Sequence, residues 1–98
     1  MYSEELFQTF YVGVRAIYDE YMEKHYPTLT KEVFKYSEGK RYVKVIRGGS
    51  VHLFVDKTNG DVLKAASWNI PAKGARGNLS DEHNGLRRVN PYGTEYNK

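Results

Sequence analysis

At 98 residues the chain has the length of one domain with one core, and 40% hydrophobic with 28% charged residues place it among globular chains rather than disordered or membrane ones. The lack of cysteine removes disulfides, thiol catalysis and thiolate metal sites, and no apolar run approaches the ~18 residues of a transmembrane helix. The net charge of +3 hides an asymmetry: residues 1–30 carry two basic and five acidic side chains, residues 31–98 thirteen basic and seven acidic.

The opening MYSEELFQTF is acidic where a secretion signal carries positive charge, so the expected compartment is the cytoplasm. From Leu6 to Met22 apolar residues recur in pairs three or four apart, which predicts an amphipathic helix over residues 1–27 with Ser3 as its N-cap. Glu4 and Glu5 complement the helix dipole, and Pro27 forces the helix to stop near Lys24 or His25. Tyr11, Tyr18 and Tyr21 lie on its apolar stripe and are expected to be core residues with hydroxyls at the rim.

Residues 28–67 read as a β-meander of three or four antiparallel strands at 32–36, 41–47, 51–57 and 61–66, separated by turns at 37–40, Gly48-Gly49 and Thr58-Asn59-Gly60. Alternation assigns Val43, Val45, Val51, Leu53 and Val55 to the face that takes the helix. Tyr42, Lys44, His52 and Phe54 then belong to the other face. Aromatic and basic residues on an open sheet face suit a single-strand binder, where bases stack on rings and cations meet phosphates. The competing arrangement folds the C-terminal third over that face and uses Tyr42 and Phe54 as a second small core. No RNP motif is present.

Residues 68–98 form an irregular basic segment broken by Gly74, Gly77, Gly85 and Gly93, with a short helical turn expected over 80–86 and capped by Ser80. Within KAASWNIPAKGARGN the only tryptophan, Trp68, precedes a glycine-broken loop carrying Lys73 and Arg76. The expectation is that Trp68 packs beneath this loop as its anchor while the cations face outward. The alternative leaves Trp68 exposed to stack on a base.

Motifs for chemistry are thin. Asp56-Lys57-Thr58-Asn59-Gly60-Asp61 imitates the start of a calcium loop, but the sixth and twelfth positions hold Asp61 and Ser67, so a hairpin turn is the better reading. His25, His52 and His83 have no ligand spacing and read as surface or rim residues. No nucleophile elbow or phosphate loop occurs; the expectation is a non-enzyme without cofactor or metal.

The run FVDKTNGDVLKAASWNIPAKGARGN (54–78), followed by Val89-Asn90-Pro91-Tyr92-Gly93, resembles a family of small proteins encoded by tailed bacteriophages and other viruses. That likeness covers about a third of the chain, leaves the N-terminal helix outside it, and implies a viral origin without a mechanism.

These readings converge on one α+β domain, an N-terminal helix packed on a three- or four-stranded antiparallel β-meander with an irregular C-terminal segment. The expected function is a viral accessory protein that binds nucleic acid, preferably single-stranded, without catalysis. Lys44, Lys64, Lys73, Arg76, Arg87 and Arg88 would meet phosphate, and Tyr42, Phe54 and Trp68 would offer stacking. The alternative is a protein-interaction module, a virion component or an inhibitor of a host protein, using Trp68 as anchor. No membrane partner is expected, and self-association stays open.

Overall fold

The computed structural model describes residues 1–94. Helix α1 spans Glu4–His25. Ser3 caps it: its backbone is extended and its Oγ accepts from Leu6 N at 3.1 Å, while Glu4 and Glu5 occupy the first turn and Lys24 and His25 the last. Tyr26 leaves the helical conformation one residue before Pro27, as the ring of a following proline demands.

Five strands then run in meander order as one antiparallel sheet: β1 (Phe34–Glu38), β2 (Tyr42–Arg47), β3 (Ser50–Asp56), β4 (Asp61–Leu63) and β5 (Gly77–Asn78). A separate hairpin pairs β6 (Val89–Asn90) with β7 (Gly93–Thr94). The molecule is thus α+β, with one strand more than the meander expected from the sequence. The addition comes from the segment read as irregular: Gly77 and Asn78 pair with Val62 and Asp61. Strand β4 is shorter than the 61–66 expected, because the chain beyond Leu63 folds into its own irregular hairpin. There Ala65 bridges Pro71, Ala72 N donates to Lys64 O, and Ala66 N and Ser67 N both donate to Ile70 O.

The helix covers one face of the sheet. Phe7, Phe10, Tyr11 and Val14 pack with Val43, Val45, Leu53, Val55, Val62 and Leu79 into a single buried cluster. Tyr11 and Tyr18 are buried, so the apolar-stripe reading of these tyrosines holds, and Tyr21 sits at the rim with its hydroxyl on that of Tyr92. Gly13 lets the C-terminal segment reach the helix, since a Cβ there would collide with the Leu86 side chain.

One expectation about the faces fails. Val45 pairs with Leu53 but Ile46 pairs with Val51, so His52 is an extra residue in β3, a β-bulge. The bulge shifts the alternation by one. Val51 therefore shares the face of Ile46 rather than that of Val45, and His52 turns toward the helix side. Its ring meets Phe34 edge-on at 5.1 Å. It is buried at 3% exposure, not a surface or rim histidine, and neither ring nitrogen has a hydrogen-bond partner among the described residues. Burial, and then the neighbouring Arg47, push its pKa down to about 4, so it is neutral at pH 7.

The N-terminus is tied into the β3–β4 turn. The Met1 amino group hydrogen-bonds the Asn59 carbonyl and lies 3.4 Å from Asn78 Oδ1, and Ser80 Oγ donates to Met1 O. Gly60, at φ +83°, is needed twice over, for the left-handed turn and because a Cβ would strike the Met1 backbone. The turn expected over 80–86 forms but is not helical, and Ser80 is not its cap. Asp81 holds it instead, its carboxylate accepting from the backbone N–H groups of Asn78, His83 and Gly85. Burial alone would raise the Asp81 pKa, but these three donors outweigh it and hold the carboxyl below the usual range.

Candidate nucleic-acid interface

The sheet face away from the helix receives Tyr42, Lys44 and Ile46 from β2 and Phe54 and Asp56 from β3. The pairings Tyr42–Asp56 and Lys44–Phe54 set them side by side. Lys35 of β1 joins them opposite Ile46, and Leu63 of β4 opposite Phe54. Phe54 is buried at 2% exposure and meets the Tyr42 ring edge-on at 6.0 Å, so it forms the floor of this face, not a stacking surface.

The hairpin that follows β4 lies over part of the same face. Its tip brings Asn69 Oδ1 to 2.9 Å from Lys44 Nζ and sets the Trp68 ring 4.6 Å from that ammonium. Trp68 is not a buried anchor: half of it, 50%, stays exposed, and Ile70 beside it is more exposed still. The physical reason is the shortness of the hairpin. With residues 66 and 67 both bonded to Ile70 O, the turn between them is too tight to tuck an indole underneath, and the ring lies outward against the Lys44 side chain.

Between this tip and the β1–β2 turn is a cavity of about 230 Å³ lined by Ser37, Gly39, Lys40, Arg41, Tyr42, Lys44, Phe54 and Asn69. Three cations and two rings line it, and among the described residues no carboxylate does. Arg41 rides over the Tyr42 ring at 5.2 Å and reaches Asp56 Oδ2 with Nε at 3.3 Å and Nη2 at 3.2 Å. Burial would raise the Asp56 pKa, but Thr58 N and Oγ1 on Oδ1 and Arg41 on Oδ2 outweigh it, and the group stays ionised below the usual range. Asp56 thereby stitches the β3–β4 turn to Arg41; the turn reading of this segment stands, and no group of three or more metal-ligating side chains occurs among the described residues. A second groove shares Tyr42 and Arg41 and is lined by Pro71, Ala72, Lys73 and Gly74 together with Asp56, Asn59 and Asp61.

The residues expected to bind nucleic acid divide into two groups. Tyr42, Lys44, Phe54 and Trp68 gather around the first cavity, and exposed Lys73 lines the adjoining groove. Arg76 does not face outward: at 6% exposure its Nη1 donates to the carbonyls of Lys73 at 2.8 Å and Gly74 at 2.6 Å, so its charge shapes the loop that carries Lys73. Burial and nearby Arg88 lower its pKa. Lys64 is half-buried, with Nζ 3.3 Å from Thr94 O, and Arg88 is half-buried near Arg76. Arg87 is exposed and lines neither groove. Residues absent from the expected set but present in the cavity are Ser37, Gly39, Lys40, Arg41 and Asn69. The first three belong to the turn expected at 37–40 and Arg41 opens the strand expected after it, whereas nothing local marks Asn69.

Fold and site together define a small α+β protein with one sheet face sealed by a helix and the other covered in part by the short hairpin after β4. Ile46, Phe54 and Leu63 are buried on that second face, as in the competing arrangement expected from the sequence, and only its basic, aromatic rim is left open. The chain belongs to a family of unknown function, DUF7717, whose model matches residues 1–93 and so includes the helix. No curated protein and no solved structure matches it. Among the described residues no helix is long and apolar enough to cross a membrane.

Proposed function

We propose that the open sheet face binds a nucleic-acid strand without catalysis, with Lys40, Arg41, Lys44 and Lys73 meeting phosphates and Trp68 stacking on a base. The observation that carries this reading is the exposed indole beside Lys44, next to a cavity lined by three cations and no carboxylate among the described residues. Such juxtaposed rings and cations serve single strands, since every base has a π-face and every linkage a charge. A small viral accessory protein working in the cytoplasm of a host cell is the setting we infer from the resemblance of the 54–78 and 89–93 motifs.

The test is a fluorescence titration of Trp68, the only tryptophan, with short single- and double-stranded oligonucleotides at two salt concentrations. The expected result is quenching by the single strand that weakens steeply as salt rises, because each neutralised phosphate releases counterions. Absence of any response at low salt would contradict it.

A second reading is favoured by one specific observation. Trp68 and Ile70 are both exposed on the same hairpin tip, an apolar pair of the kind that anchors protein interfaces. In that case the chain is an interaction module, a virion component or an inhibitor of a host protein, and oligonucleotides leave Trp68 fluorescence unchanged.

A further inference from the structure

Resting on the nucleic-acid reading, we propose that the cavity between the β1–β2 turn and the Trp68 hairpin is a subsite for one unstacked base, with its own phosphate held by Lys40 and Lys44. Four features of the cavity lead there. At about 230 Å³ it falls below the roughly 300–1,000 Å³ of ordinary small-molecule sites, which leaves room for a single ring system at a time. Its wall is the Tyr42 ring and its floor the edge of Phe54, held at a fixed tilt of 69° by their mutual packing, so an apolar surface is ready before a ligand arrives. Ser37 of β1 and Asn69 of the hairpin also line it; Asn69 Oδ1 already accepts from Lys44 Nζ at 2.9 Å, which leaves the Ser37 hydroxyl and the Asn69 amide nitrogen for a base edge. The cations stand among these walls, and the nearest buried carboxylate, Asp56, is occupied by Arg41 and Thr58 and lines the adjoining groove instead.

The arrangement also separates the two aromatic contacts. Trp68 is not among the residues that line the cavity but lies against Lys44, which does, so a strand crossing the face sets one base against Trp68 and places another beside Tyr42. Recognition in this cavity depends on a base being present, whereas the surrounding lysines respond to backbone charge alone.

The experiment compares a short oligothymidylate with an abasic strand of the same length and backbone charge, each titrated against the unaltered protein and against Tyr42→Leu. The unaltered protein should bind the abasic strand at least about tenfold more weakly, the range of a lost base–ring contact. Tyr42→Leu should shrink that difference by weakening oligothymidylate binding while leaving the abasic strand unaffected. Equal affinity of the unaltered protein for both strands overturns the subsite but leaves the phosphate reading standing. A difference of undiminished size in Tyr42→Leu assigns base contact to Trp68 alone and also overturns the subsite. Failure of both strands to bind at low salt removes the nucleic-acid reading itself. Should Tyr42→Leu not fold, amide shifts of the unaltered protein decide: thymidine monophosphate should move Ser37, Tyr42 and Phe54, and inorganic phosphate should move only the neighbourhood of Lys40 and Lys44. Identical shifts from the two would overturn the subsite.

Discussion

The two faces of the sheet are built from the same strands to opposite ends. On the helix side, Val43, Val45, Leu53, Val55 and Val62 are closed off by Phe7, Phe10, Tyr11 and Val14, and even the cation that points there is consumed. Arg47 lies 2.8 Å from Glu32, donates to Pro91 O, and sits over the Tyr18 and Tyr92 rings. On the other side the residues that alternate with those valines are Tyr42, Lys44 and the buried Phe54, covered in part by a short hairpin whose tip leaves its indole half exposed against Lys44. The difference teaches that a side chain's role here follows from which face the register assigns it to. Arginine is structural on one face and, at Arg41, half structural and half available on the other.

The comparison breaks if truncation on the two faces costs the same. Phe10 is fully buried, and Phe10→Ala should cost about 3–5 kcal/mol, a large part of the ~5–15 kcal/mol that holds a domain together. Trp68→Ala should change stability by no more than about 0.5 kcal/mol. Urea unfolding of the two variants, followed by far-ultraviolet circular dichroism, measures the contrast.

Acid sharpens it. His52 sits neutral on the sealed side with a pKa near 4 against an ordinary 6.5, so between those values the unfolded chain binds the extra proton. Its contribution is whole above pH 6.5 and is lost as pH falls toward 4, in total about 3 kcal/mol. Asp56 and Asp81, whose pKa values are depressed, contribute in the ordinary way and lose their share only below the usual carboxylate range. The unfolding free energy measured from pH 7 to pH 4 should decline in the wild type and decline much less in His52→Phe; identical slopes would contradict the buried, unpartnered histidine.

The smallest contrast lies within one loop. Arg76→Met leaves the carbonyls of Lys73 and Gly74 without their donor and should cost about 2 kcal/mol, the scale of charge-assisted hydrogen bonds. Lys73→Met, three residues earlier and exposed, should be neutral for folding. Thermal melts of the pair distinguish the structural cation from the available one.

Much of the fold was legible because it obeys strong periodicities. The paired apolar positions of 6–22 could only be one helical face, and Gly48-Gly49 and Asn59-Gly60 punctuate strands long enough to alternate. Strands β5, β6 and β7 have two residues each, too few to alternate at all, and were invisible for that reason. The bulge at His52 left no local mark either, since Val51-His52-Leu53-Phe54-Val55 reads as unbroken alternation. It is decided by pairing with β2. For the site, the proximity of Tyr42, Lys44 and Phe54 followed from register, and Trp68 joined them through a hairpin whose path depends on carbonyl acceptors rather than on residue type. Arg76 illustrates the same limit: a sequence reports a charge, and only the fold reports whether backbone oxygens already surround it.

The most direct test of the account exchanges charge on one face at a time. Lys40→Glu with Lys73→Glu reverses two exposed cations of the open face, and Arg15→Glu with Lys24→Glu reverses two exposed cations of the helix, with the same change in net charge. Binding of a single-stranded oligonucleotide at low salt, read from Trp68 fluorescence, should be lost or weakened by at least about tenfold in the first variant and altered only slightly in the second. Equal weakening in both would mean that overall charge, and not the open face, attracts the strand, and would contradict the account.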